Sequence, residues 1–172
     1  MFLKFIKDFF IKKTVKKSLL AYSLVNSEKK IQTVGLLIDE TYFSKEKELI
    51  EEITAKGIAA NHIKVLIYKD RIKKKDVLEH PNFSRKDVSF AGAFQKEEIS
   101  QFVNEPFDML ISYYDIEKPQ LLIVTLQSKA QFKVGFSTVD KRLNNFTITT
   151  VAEKHQEFVN ELFRYLKILN KI

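Results

Sequence analysis

An α/β fold built on a mostly parallel sheet is the architecture this sequence predicts, and three observations carry it. Short apolar runs, such as residues 34–38 and 109–111, alternate along the chain with segments of helical period. Those runs are continuous rather than alternating, which is how strands covered on both faces read. No Gly/Ser/Pro-rich tract, repeat or low-complexity stretch divides the chain, so one domain follows a basic amphipathic N-terminal helix.

The elements follow in order. Phe2, Leu3, Phe5, Ile6, Phe9 and Phe10 fall on one helical face, with Lys4, Lys7 and Asp8 opposite. Beyond Phe10 the stripe moves. Ile11, Val15 and Leu19 continue at i, i+4, i+8 on a different side, with Lys12, Lys13, Lys16 and Lys17 around them. One straight helix cannot bury both stripes against one flat surface, so either its halves meet different partners or it bends. Residues 31–39 (IQTVGLLID) predict the first strand, which ends in Asp39 and Glu40. A helix follows from Ser44 as N-cap, with Leu49, Ile50 and Ile53 inward and Gly57 as its stop. Residues 63–68 (IKVLIY) predict a second strand, residues 69–76 (KDRIKKKD) a charged connection, and residues 88–90 a third strand. A short helix carrying Ile99, Phe102 and Val103 stops at Pro106.

Residues 107–115 (FDMLISYYD) predict a central strand, and Pro119 opens a helix running to about Lys129. Phe132, Val134 and Phe136 then alternate with Lys133, Gly135 and Ser137, and Phe146 and Ile148 with Thr147 and Thr149, which predicts an antiparallel hairpin at the sheet edge. Thr150 and Glu153 have capping-box spacing ahead of a last helix striped by Phe158, Leu162, Tyr165, Leu166, Leu169 and Ile172. The expected whole is a three-layer sandwich with a Rossmann-like or flavodoxin-like sheet. Its one boundary lies near residues 26–30, separating a helical segment, 1–26, from a single domain, 27–172.

Composition narrows the chemistry. The 172 residues include no cysteine, which removes disulfides, thiolate nucleophiles and Cys-ligated metal sites and suits a cytoplasmic setting. Fifteen Phe and no Trp make a skewed aromatic set, and Phe has no polar tip, so most are expected in the core. Of the formal charge of +7, residues 1–17 supply +5 through six Lys and one Asp. The basic character therefore belongs to the N-terminus. No apolar stretch reaches spanning length, and lysines interrupt any secretory h-region.

The runs FDMLISYYD (107–115), SKAQFKVGFS (128–137) and LKILNKI (166–172) resemble a bacterial family of short α/β proteins of unknown function. The resemblance covers most of the chain and implies a compact, cytoplasmic α/β domain. It carries no assigned catalytic residues.

Ligands of such folds bind outside the C-terminal ends of parallel strands. That rim is expected to carry Asp39, Glu40, Asp70, Arg71, Tyr113, Tyr114 and Asp115. Asp39 and Asp115 could hold Mg²⁺ or act as acid and base, but acids ending strands more often cap the following segment. Tyr113 and Tyr114 point to opposite sheet faces, so at most one can line a given pocket. Four scattered glycines exclude G-x-G-x-x-G and Walker loops, and His62, His80 and His155 have no partner at metal spacing. No metal and no particular cofactor is indicated. The basic run 69–75 lacks the aromatic interleaving of single-strand platforms, which disfavours nucleic acid.

Two functions compete. The first is a non-catalytic association module whose N-terminal helix meets a protein partner, a second copy or an anionic membrane surface through Phe2, Phe5, Ile6, Phe9, Phe10, Lys4, Lys7, Lys12 and Lys13. It would be cytoplasmic, peripheral to the inner face of the membrane. The alternative is a small-molecule or nucleotide-binding enzyme acting at the strand-end rim.

Overall fold

A computed structural model describes the backbone of residues 2–25, 27–72 and 79–172, and side chains from Phe5 onward. Helix α1 (Phe2–Leu19) leads, followed by β1 (Val34–Asp39), α2 (Glu46–Ala55), β2 (Ile63–Tyr68), β3 (Asn82–Phe83), α3 (Glu97–Asn104), β4 (Met109–Tyr113), α4 (Pro119–Gln127), β5 (Lys133–Phe136), β6 (Phe146–Ile148) and α5 (His155–Ile168). The six strands form one sheet in the order β3-β2-β1-β4-β5-β6, and every pair is parallel. That is the doubly wound order of dinucleotide-binding folds rather than the flavodoxin order, and it reverses between β1 and β4.

The helices divide between the two faces. Ser112 and Tyr114 of the β4 region hydrogen-bond to Thr125 of α4, while Tyr113 packs its ring on Phe158 of α5. α2 packs beside α5, α3 beside α4, and α1 lies outside α4. Residues 119–126 of α4 are accordingly buried on all sides, since the sheet covers one flank and α1 the other. The inner strands are dry, every residue of β1 and β4 being buried. At Gly35 of β1 a Cβ would lie 2.6 Å from the Phe107 ring, so glycine lets that aromatic approach the sheet.

Several expectations are corrected. The C-terminal strands are parallel, not an antiparallel hairpin. Their alternation came from polar groups that are satisfied inside rather than solvated: Lys133 reaches the last carbonyls of α4, and Gly135 packs under Asn144. The third strand is Asn82–Phe83, and Val88 makes only an isolated antiparallel bridge to Phe94. Strand β1 begins at Val34, because Ile31 bonds instead to the Lys171 carbonyl (2.8 Å). Neither predicted cap forms. α2 starts after Lys45 and α5 after Lys154, both without a side-chain cap, and the Thr150 hydroxyl is buried without a partner. α4 ends at Gln127 and α5 at Ile168.

Candidate functional site

Chemistry gathers at the carboxyl ends of β1, β2 and β4, where the strand order reverses. Lys118, the residue before Pro119 of α4, is buried there. Its Nζ lies 2.7 Å from Asp39 Oδ2 and 3.3 Å from Asp70 Oδ1, and donates to Thr41 Oγ1 at 2.9 Å. The Asp39 approach is off the hydrogen-bonding direction, so that contact is Coulombic rather than directional. The rings of Tyr42 and Tyr68 flank the ammonium at 4.6 and 4.9 Å. Tyr68 donates its hydroxyl to Asp70 Oδ1 (2.9 Å), and burial followed by the Asp70 contacts raises its pKa far above the ordinary value.

The other rim residues do not join this group. Glu40 pairs with Lys69 at 2.6 Å, and Arg71 is exposed at the end of β2. Tyr114 is fully inside, its hydroxyl 2.7 Å from Thr125 Oγ1, and burial raises its pKa. Asp115 accepts from the Ala152 amide (3.0 Å), so it ties the loop after β6 to β4. Of the charged run 69–76, residues Lys73, Lys74, Lys75 and Asp76 lie outside the described residues. Among the described residues no group of three or more His, Asp or Glu side chains is arranged to hold a metal. Lys118, the hub, went unnoticed in the sequence. Its signal was a lone cation just ahead of a helix-opening proline, close to strand-end acids.

A second assembly lies on the opposite side of α4. Ile11, Val15 and Leu19 are buried on the inward face of α1. Continued toward the N-terminus, that face carries Lys7 and Asp8. Asp8 accepts from Gln120 Nε2 (2.7 Å) and pairs with Arg85 Nη2 (3.1 Å). The first half of α1 is thus turned the unusual way, polar side inward, and Phe5 and Phe9 stand 69% and 64% exposed. Phe10 is also exposed and meets Phe9 edge-on at 5.8 Å and Phe90 at 6.4 Å. Ile6 is half-buried, and Lys12, Lys13, Lys16 and Lys17 are exposed along the second half. The side chains of Phe2 and Lys4 lie outside the described residues.

A family model described as a family of unknown function, DUF6913, matches residues 7–169. The chain belongs to this family. No curated protein and no solved structure matches it. The DUF6913 match spans the sheet and all but the first turn of α1, so the Lys118 cluster and the docked stripe of α1 both fall within it.

Two further features of this DUF6913 chain bear on the site. A groove of about 620 Å³, lined by Ser27, Phe132, Asn145, Phe146 and Lys171 among others, opens at the opposite, amino end of the strands. Beside it the segment after α1 is laced to the domain. Tyr22 accepts from Lys133 Nζ (2.8 Å), Asn145 donates to the Val25 carbonyl (2.8 Å), and Lys171 donates to the Ser27 carbonyl. Burial lowers the Lys133 pKa to about 8. No helix of the described residues is long and apolar enough to cross a membrane.

Proposed function

We propose that the protein is a non-catalytic association module: the sheet domain is a scaffold, and the outward aromatic face of α1 is the surface that meets a partner in the cytoplasm. One observation carries this. The first half of α1 turns Asp8 inward to Arg85 and Gln120 and leaves Phe5, Phe9 and Phe10 in water. Rotating that half would bury the rings against the domain, and the helix does not do so because its second half is held by Ile11, Val15 and Leu19. Fully burying a phenylalanine yields about 1.5–3 kcal/mol, so three exposed rings side by side are a sizeable reserve for association.

The test is a Phe5→Ser/Phe9→Ser variant, which spares the docked stripe. Wild-type protein should either self-associate by light scattering or distribute partly to the particulate fraction of producing cells, and the variant should lose that behaviour. A wild type that is monomeric and wholly unassociated in both measurements sinks the reading.

The competing reading, an enzyme acting at the strand-end rim, has the Lys118 cluster in its favour. Against it, Lys118 is already engaged by Asp39 and Asp70, and Tyr114 and Asp115 are committed to structural bonds. A nucleotide or sugar phosphate that raised the melting temperature of wild type, but not of Lys118→Met, would restore it.

A further inference from the structure

We infer that the partner of this face is an anionic lipid bilayer surface, with Phe5, Phe9, Phe10 and Phe90 entering the headgroup–acyl boundary while Lys12, Lys13, Lys16 and Lys17 contact the headgroups. This rests on the association reading above and names the partner. Phe90 belongs to a different part of the chain, the tight loop between Val88 and Phe94. Gly92 turns that loop with a φ of +82°, which a residue with a side chain rarely adopts. The loop tip carries a half-exposed phenyl ring where polar turn residues are the rule. That ring touches Phe10, and Lys7 Nζ sits 5.8 Å from its centroid. Two unconnected segments therefore contribute to one aromatic ridge.

The chemistry of the ridge selects among partners. Protein interfaces are enriched in aromatic residues, Phe among them, and in Arg, but they are depleted of Lys at their cores. This face offers Phe and Lys, the pair that interfacial helices use. A two-fold dimer that pairs α1 in parallel would bring the Lys12, Lys13, Lys16 and Lys17 rows of both copies together. The only acid of α1, Asp8, is turned away and already paired, so nothing on the helix would relieve that repulsion. An anionic surface relieves it directly, at about 1 kcal/mol for each lysine near the headgroups. The 18 residues of α1 span roughly 27 Å, long enough to lie in the plane of the surface with aromatic and basic halves end to end.

Co-sedimentation with vesicles of phosphatidylcholine and phosphatidylserine, against phosphatidylcholine alone, tests this. Full-length protein should pellet with the anionic vesicles at low salt, release as salt rises, and ignore the neutral ones. Phe90→Ser should lower partitioning roughly tenfold, and Lys12→Glu/Lys16→Glu by more than about fivefold per residue, with melting temperatures close to wild type. Absence of pelleting with anionic vesicles overturns the lipid assignment. If light scattering or cell fractionation then shows association that Phe5→Ser/Phe9→Ser abolishes, the association reading survives with a different partner; if neither does, both fall. Pelleting that Phe5→Ser/Phe9→Ser removes and Phe90→Ser leaves intact overturns the role given to the loop.

Discussion

Lys118 and Lys133 are both buried ammonium groups, and their environments differ in the way that decides their energetics. Lys118 has two carboxylates, so its desolvation is offset by charge. Removing it strands Asp39, which is itself buried, and Lys118→Met should cost about 3–5 kcal/mol in urea denaturation. Asp70→Asn should cost less than about 1 kcal/mol, because the Asp70 side chain is partly solvated. Equal losses would show that the cluster does not work as described. Among the described residues no acid pairs with Lys133. Its Nζ donates to the Thr125 carbonyl (2.7 Å) at the negative end of α4 and to Tyr22. With its folded pKa held to about 8 against 10.5 unfolded, the unfolded chain binds the extra proton between those values, so stability is lowest below pH 8 and rises above it. Relative to Lys133→Met, wild type should gain roughly 2–3 kcal/mol between pH 7 and 10, measured as a difference of unfolding free energies. A difference flat with pH would mean the ammonium is not desolvated. The raised pKa values of Tyr22, Tyr68, Tyr113 and Tyr114, all pushed up first by burial, work the other way once unfolded tyrosine ionises near pH 10.

At the scale of elements, α1 and α4 define each other. Residues 119–126 of α4 are buried around the whole circumference, so the outer flank needs a cover, and the Ile11, Val15 and Leu19 stripe supplies one. Deleting residues 1–19 should therefore expose the outer face of α4 and yield aggregated or loosely packed protein, seen as strong binding of a hydrophobic dye and a broadened melt. A soluble, sharply melting truncation would show that α1 is dispensable to the core. The same residues explain what the sequence made legible. The displaced stripe beyond Phe10 correctly implied two environments for one helix. Which half would dock was not readable, because both stripes are apolar and the choice depends on contacts across the chain, those of Ile11, Val15 and Leu19 with α4 and those of Asp8 with Arg85 and Gln120. The edge strands misled for a related reason. Lys133 and Gly135 gave β5 a period of two, and period alone does not distinguish a polar group in water from one bonded to a helix end.

For the molecule as a whole, hydrophobic run length determined most of the architecture: buried inner strands at residues 34–38 and 109–111, helices between strands, and no second core. Adjacent apolar residues in those runs can be buried only if both sheet faces are covered, which leaves little choice but a layered α/β fold. The acids at strand ends were likewise visible from sequence, and Asp39 does lie at the point where the strand order reverses. Only the tertiary structure decided which of them meet. Asp39 and Asp70 converge on Lys118, while Asp115 and Tyr114 are drawn into bonds with the segments after β6 and in α4. It also decided that the last two strands run parallel and that Phe10 and Phe90, eighty positions apart, share one exposed ridge. The physical reason is common to all three. Periodicity reports how a segment is buried along its own axis, whereas pairing partners and shared faces are set by contacts across the chain that no local pattern encodes.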